Sequence, residues 1–235
     1  MKYKSQAISL TYIKNGDSSI ISKILTKEKG LQAFIVKGVR SKKSKKKLSY
    51  FEPLRLLNID ADFNARKSLQ YLGDATIAVN FDNMKNKMNN SFIGFFIAEI
   101  SSKVVQEKEQ NKLLFDFIWE TSIELYSSKI TDPNFALKYL INLSRFLGFY
   151  PSETEIQKPF FDLESGVFSD KITSFSPFLN KQKTTYLKAL INNERILIPQ
   201  KQKSELLKEL LYYYKLHHYN LDGITSHLVI EALRQ

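Results

Sequence analysis

The sequence predicts an α+β, multi-domain chain: a small closed antiparallel β-barrel over residues 1–80, then an all-helical domain over residues 81–235. Three observations carry this. Up to about residue 80, apolar residues come in short, partly alternating runs separated by turn residues. From about residue 82 they recur at helical spacing instead. The charge divides at the same place. Residues 1–80 hold 16 Lys and Arg against 6 Asp and Glu, and residues 81–235 hold 19 against 18, so nearly all of the formal +11 belongs to the first third.

The strands follow in order. Ala7, Ile8, Leu10, Tyr12 and Ile13 alternate in part, and Asn15-Gly16-Asp17 supplies a hairpin turn. Ser19–Leu25 is a second β-rich run, closed by Thr26-Lys27-Glu28-Lys29-Gly30, and Leu31–Val39 is a third. Leu54–Ile59 and Leu69–Val79 complete a set of five. Five short strands suit a barrel of the oligonucleotide-binding kind, the OB-fold. Between the third and fourth strands lies a loop carrying Lys37, Arg40, Lys42, Lys43, Lys45, Lys46 and Lys47 with no acidic residue among them. Such a run is an electrostatic footprint for a polyanion, with a plain solvated loop as the bland alternative.

The helices are placed by period and by caps. Ser91 is expected to cap a helix carrying Phe92, Ile93, Phe96, Ile97, Ile100 and Val104 on a core-facing stripe. Leu113, Leu114, Phe117, Ile118 and Trp119 open a second, running towards Tyr126. Asp132-Pro133 reads as a cap with proline at the first helical position, and the third helix then runs through Leu147 to Gly148 and Pro151. Residues 150–179 have no helical period and read as an irregular insertion. Helices resume at Lys181–Asn192, Ser204–His217 and Ile224–Leu233.

Composition excludes several chemistries. The chain has no cysteine, which removes disulfides, Cys-ligated zinc, iron–sulfur clusters and a thiol nucleophile together. No signal-peptide core opens the sequence, and the longest apolar stretch, near Phe92–Ile100, is interrupted by Glu99, so a cytoplasmic protein is expected. The phosphate-loop, dinucleotide, zinc-protease and serine-hydrolase signatures are missing, and the carboxylates form no compact two-metal cluster. No enzymatic activity and no cofactor are expected. His217, His218 and His227 lack an acidic residue at a recognisable ligand spacing.

Several segments together resemble the RecO family of bacterial recombination mediators. Thr26-Lys27-Glu28-Lys29-Gly30 followed by Val36-Lys37-Gly38-Val39-Arg40 is similar to the family's T-x-E-x-G and K-G-x-R pattern. Leu137-Lys138-Tyr139-Leu140, ending in Phe146-Leu147-Gly148-Phe149-Tyr150-Pro151, resembles its L-L-G-x-x-P helix end. Phe161-Asp162-Leu163-Glu164-Ser165-Gly166-Val167-Phe168 resembles F-D-x-x-x-G-x-F. Tyr213-Tyr214-Lys215-Leu216-His217 and Ser226-His227-Leu228-Val229-Ile230 resemble the closing H…S-x-x-V-L element, with Ile230 in place of leucine and Thr225 where a cation is common. The order and spacing of these segments span residues 26–230.

The resemblance implies an OB-fold barrel followed by a helical domain. It also implies binding to single- and double-stranded DNA, annealing of complementary strands, and action with RecR to load RecA onto DNA coated by single-strand-binding protein, in the bacterial cytosol at the nucleoid. One departure stands out. Many relatives carry a four-cysteine zinc site after the L-L-G-x-x-P helix, whereas Ser152–Asp170 contains neither cysteine nor histidine. That stretch is expected to hold by packing through Phe160, Phe161 and Phe168.

The candidate DNA-binding residues are Lys37, Arg40, Lys42, Lys43, Lys45, Lys46 and Lys47, with Tyr50 and Phe51 as bases' stacking partners or as ordinary barrel residues. Gly38 suits either close phosphate approach or a strand bulge. Lys181, Lys183, Lys188 and Arg195 are candidates for contacting the acidic C-terminal tail of single-strand-binding protein, or else form a solvated face. Lysine-rich loops do not distinguish DNA from RNA, so an RNA-binding or ribosome-associated barrel protein is the alternative reading. A nuclease with an unrecognised site is a third.

Overall fold

The computed structural model describes residues 1–41, 47–81, 87–107, 109–128, 130–172 and 176–226. The chain forms two compact units, Met1–Thr131 and Asp132–Gln235. The change from strands to helices comes earlier, between residues 77 and 87, so two helices belong to the first unit.

Five strands close the barrel in the order β1-β2-β3-β5-β4: β1 (Lys2–Asn15), β2 (Ser19–Thr26), β3 (Gly30–Val36), β4 (Leu56–Asp62) and β5 (Leu69–Ile77). β1 is long enough to serve two neighbours, pairing with β4 over Lys2–Ile8 and with β2 over Ala7–Asn15. A register shift between Ser9 and Thr11 bends it from one to the other, as bulges do in barrels. The expected all-antiparallel pairing needs one correction. Closure is made by a short parallel pairing of Ala33–Ile35 on β3 with Leu69–Tyr71 on β5. Inside lie Ile20, Ile24, Phe34, Val36, Phe51, Leu57 and Leu72, all buried.

β4 begins at Leu56 rather than at Leu54. Leu54 takes a left-handed backbone at φ +58 and is fully buried. Its N–H donates to the Ser9 carbonyl at 2.8 Å, and Ser9 N–H donates to the Arg55 carbonyl at 2.9 Å, docking the segment on the β1 bulge. The conformation costs roughly 1–2 kcal/mol, which burial of a leucine side chain, about 1.5–3 kcal/mol, offsets.

Helix α1 (Lys87–Val104) packs on β1, and α2 (Lys112–Ser127) packs on α1. Ser91, the expected cap, lies a turn inside α1. Phe96, Ile97 and Ile100 are buried on the predicted stripe. Asn111 caps α2, its side chain accepting from Leu114 N–H at 2.9 Å. Buried Asn90 donates to the Leu125 carbonyl at 2.7 Å and ties the two helices together.

The linker between α1 and α2 grips the β2–β3 turn. Glu107 bridges to Leu31 and pairs with Lys23 at 3.4 Å, while Lys27 pairs with Asp116 at 2.9 Å. Within the turn, Thr26 Oγ1 donates to the Gly30 carbonyl and accepts from Lys29 N–H. Gly30 sits at φ +64, and a Cβ there would run into the Glu109 carbonyl. The threonine and glycine of the T-x-E-x-G segment are therefore structural requirements of one turn.

In the second unit, α3 (Phe135–Leu147) starts three residues after Asp132, with Asn134 at the N-cap position. The expected Asp132-Pro133 cap is instead a turn before the helix: Asp132 Oδ1 accepts from Asn134 N–H at 2.8 Å, and its Oδ2 pairs with Lys138 at 2.8 Å. Gly148 ends α3 as expected. The described residues between 150 and 179 hold a small sheet that the sequence did not suggest. β6 (Phe160–Asp162), β7 (Val167–Ser169) and β8 (Phe178–Leu179) form a three-stranded sheet in the order β7-β6-β8. Strands of two or three residues are too short to show a period.

α4 (Lys181–Ile191) is capped by Asn180 and followed by α5 (Gln200–Leu216). Phe161, Phe168, Tyr213 and Tyr214 are buried, and Phe149 stacks on His217 with ring centroids 4.7 Å apart. The Tyr213 hydroxyl donates to the Phe149 carbonyl at 2.5 Å and the Tyr214 hydroxyl to the Leu140 carbonyl at 2.7 Å. Burial pushes both phenols above their ordinary range, so both stay protonated donors. Phe161 and Phe168 thus hold the cysteine-free stretch by packing, as expected. Phe160 is only half-buried and meets Phe178 edge-on. The helix expected over 224–233 lies, from residue 227 onward, outside the described residues.

Candidate nucleic-acid interface

The basic segment leaves the barrel and rejoins it through two pinned ends. At the departing end, Val39 is buried in the barrel core, and Arg40 N–H donates to the Ser18 carbonyl at 3.0 Å. The Arg40 guanidinium donates to the Gly16 carbonyl at 2.9 Å, fastening the segment to the β1–β2 hairpin. Lys37 and Arg40 are exposed. Gly38 lies in a turn at φ +69, with the Ser41 N–H donating to its carbonyl at 3.0 Å. It is therefore in a turn and not a strand bulge, and a Cβ there would meet no protein atom within 4 Å.

At the returning end, Lys47 is exposed and accepts from Tyr50 N–H at 3.1 Å through its carbonyl. A single 3-10 turn over Leu48–Phe51 follows. Tyr50 is half-buried against the barrel core, and Phe51 is fully buried within it. Phe51 is therefore a barrel residue and offers no face to a base. Lys42, Lys43, Lys45 and Lys46 lie outside the described residues.

Elsewhere on the barrel a groove of about 570 Å³ runs over the row Lys4–Asp60–Asp74, where β1, β4 and β5 pair. Glu28 and Lys27 also line it. Three carboxylates against two ammonium groups, one already paired with Asp116, make it unfavourable for phosphate.

The lysines singled out in the helical unit are largely engaged. Lys183 pairs with Glu205 at 3.4 Å and Glu209 at 3.2 Å. Lys181 lies over the Phe160 ring and Lys188 over the Phe168 ring, at 5.8 Å and 5.6 Å from the ring centres. Arg195 is exposed. His217 sits among Phe149, Tyr213 and His218; burial, with His218 beside it, lowers its pKa against the opposing pull of the Leu163 carbonyl. Among the described residues, no three His, Cys, Asp or Glu side chains converge as metal ligands, and no helix is long and apolar enough to cross a membrane.

Sequence comparison adds a whole-chain result. Residues 1–81 match the family model described as recombination protein O N terminal, and residues 86–220 match recombination protein O C terminal. The chain is 32% identical over 241 residues to the DNA repair protein RecO of Flavobacterium psychrophilum, covering 100% of this chain and 99% of that one. It is 30% identical to the DNA repair protein RecO of Flavobacterium johnsoniae, with 100% and 99% covered. It is 28% identical to that of Azobacteroides pseudotrichonymphae, with 99% of each covered.

Proposed function

The chain belongs to the RecO family, and from that premise we propose that it is a DNA-binding recombination mediator acting in DNA repair. It binds single- and double-stranded DNA, anneals complementary strands and, with RecR, loads RecA onto strands coated by single-strand-binding protein, whose C-terminal tail it contacts. It works in the bacterial cytosol, at the nucleoid, and makes or breaks no covalent bond. Residues 1–80 serve as the DNA-binding module and residues 81–235 as the helical domain.

The observation that carries this reading is the concentration of charge on the barrel of a chain matched along its length by DNA repair proteins. Lys37, Arg40, Lys42, Lys43, Lys45, Lys46 and Lys47 neutralise the phosphates of two strands at once and reduce their mutual repulsion, which lets complementary bases meet. Lysine suits the task because each ammonium is a flexible point charge that follows phosphates in many geometries. Tyr50 lies beside this segment as a further contact.

The test is strand annealing with complementary oligonucleotides already coated by the cognate single-strand-binding protein. Acceleration is the expected result. Acceleration on naked strands alone would leave a charge-driven DNA binder without the partner contact, and failure on both would overturn the reading.

A further inference from the structure

The few acidic residues of the barrel are not spread evenly over it. Of the six Asp and Glu among residues 1–80, three stand on the outer side of two paired strands, Asp60 and Asp62 on β4 and Asp74 on β5. Glu28, on the β2–β3 turn, joins Asp60 and Asp74 around the groove of about 570 Å³. A bulge makes this meeting possible. Asp60 opposes Asp74 and Ala61 opposes Leu72, so Gly73 is an extra residue on β5. It shifts the alternation, which leaves Leu72 and Ala75 buried and puts Asp74 beside Asp60 on the outside.

The protein itself makes little use of these side chains. Lys2 stands opposite Asp62 and Lys4 opposite Asp60, and Lys27 is paired with Asp116. Among the described residues, neither Asp74 nor Glu28 makes an ion pair. In the T-x-E-x-G turn, Thr26 and Gly30 are structural, whereas Glu28 takes part only through its backbone N–H, which donates to Ser5 Oγ at 3.2 Å. Like charges directly opposite one another destabilise a sheet, so the Asp60–Asp74 pair costs stability without filling the core. Beside it, Gln6, Asn58 and Thr76 form the next cross-strand row, all exposed. This lining selects an occupant. The carboxylates repel phosphate, and among the described residues no three of them converge as metal ligands. An extended peptide with cationic side chains matches both parts, its peptide groups on the amide row and its charges on the carboxylates.

We propose that this sheet face docks an extended, arginine-bearing segment of a partner protein, with guanidinium groups on Asp74, Glu28 and Asp60 and peptide groups on Gln6 and Asn58. Arginine suits the site because a carboxylate takes its planar fork through two parallel hydrogen bonds. The inference goes beyond the DNA-binding reading. It gives the barrel a protein contact on a surface unfavourable to phosphate, so that partner and DNA do not compete for one site.

The experiment follows the fluorescence anisotropy of a labelled Arg-Gly-Arg-Gly-Arg peptide titrated with the full chain and its variants at low salt. Asp74→Asn combined with Glu28→Gln is expected to weaken peptide binding about two- to thirtyfold, at roughly 1.4- to 5-fold per exposed ion pair. Both positions are exposed, so the fold is expected to hold. Glu120→Gln combined with Glu124→Gln removes the same charge from exposed positions of α2 and is expected to change nothing. A peptide with citrulline in place of arginine is expected not to bind, and DNA affinity in the groove variant is expected to be no weaker. Absence of peptide binding by the unaltered chain overturns the proposal, as does an equal loss in the two double variants. Displacement of the peptide by spermidine at equal charge concentration would make a small polyamine the occupant. Self-association of the chain that the groove variant abolishes would make the occupant a second copy, and either result overturns the proposal. Weaker DNA binding by the groove variant does so too, whereas the annealing test of the unaltered chain decides the DNA-binding reading separately.

Discussion

The barrel and the helical unit solve opposite problems with similar materials. The barrel fills its interior mainly with Ile, Leu and Val around Phe34 and Phe51, and leaves Lys37, Arg40 and Lys47 exposed at its surface. The helical unit puts its aromatic residues inside, with Phe149, Phe161, Phe168, Tyr213 and Tyr214 in mutual contact, and sets Lys183 against two glutamates. The difference teaches how to read charge. A lysine matched by carboxylates contributes little to a long-range field, while a cluster without them attracts a polyanion.

The largest expected effect breaks the barrel's side of that contrast. Replacing Lys42, Lys43, Lys45, Lys46 and Lys47 together by Gln should flatten the slope of log affinity against log salt for single-stranded DNA by about 3.5, at roughly 0.7 per phosphate contact. It should also reduce annealing, while urea unfolding stays near that of the unaltered chain. An unchanged slope would remove this segment from the interface. The parallel replacement of Lys183, which is matched by Glu205 and Glu209, by Gln should leave the slope nearly unchanged, which sharpens the comparison.

Next in size is a cavity in the other unit. Phe161→Ala removes a fully buried ring in contact with Phe168 and Tyr213. It should lower stability by about 3–5 kcal/mol in denaturant unfolding. A loss below about 1 kcal/mol would mean that the sheet of residues 160–179 is not held by this packing. Gly30→Ala comes third. It forces a Cβ against the Glu109 carbonyl at a left-handed position, so the chain should lose roughly 1–3 kcal/mol and the α1–α2 linker should exchange its amide hydrogens faster.

The smallest effect is a pH dependence confined to the helical unit. Burial and the neighbouring His218 hold His217 below the ordinary histidine value of 6.5. Between that value and the lowered one, the unfolded chain binds a proton that the folded chain does not, so stability rises with pH there and falls as the solution is acidified. The acidic loss of thermal stability below about pH 6.5 should be smaller in His217→Phe, which preserves the stacking on Phe149 without the titrating group.

Most of the fold was legible in the sequence because local chemistry specifies it. The hairpin at Asn15-Gly16, the order of the five strands and the α3 end at Gly148 all lie where turn residues and periodicity put them, although β3 stops at Val36 rather than Val39 and β4 starts at Leu56 rather than Leu54. The packing of residues 152–170 was also legible, since Phe161 and Phe168 are apolar residues in a segment with neither cysteine nor histidine. Cap positions were less so. Ser91 and Asp132 have the right chemistry for caps, but α1 begins earlier and α3 later, because a cap is decided by where tertiary packing starts the helix.

The sequence by itself determined that a barrel precedes a helical region, and that nearly all of the net charge lies in the first third of the chain. Both are sums over many residues, to which no single contact is essential. Only the tertiary structure decided which aromatic faces are available. Phe51, just after the lysine segment, and Tyr71, in the fifth apolar run, are both aromatic residues of the barrel third, yet one fills the barrel and the other stands on its surface. Nor could spacing bring Glu28, Asp60 and Asp74 around one groove. Their meeting follows from strand register and from the bulge at Gly73, which are properties of pairing between distant segments.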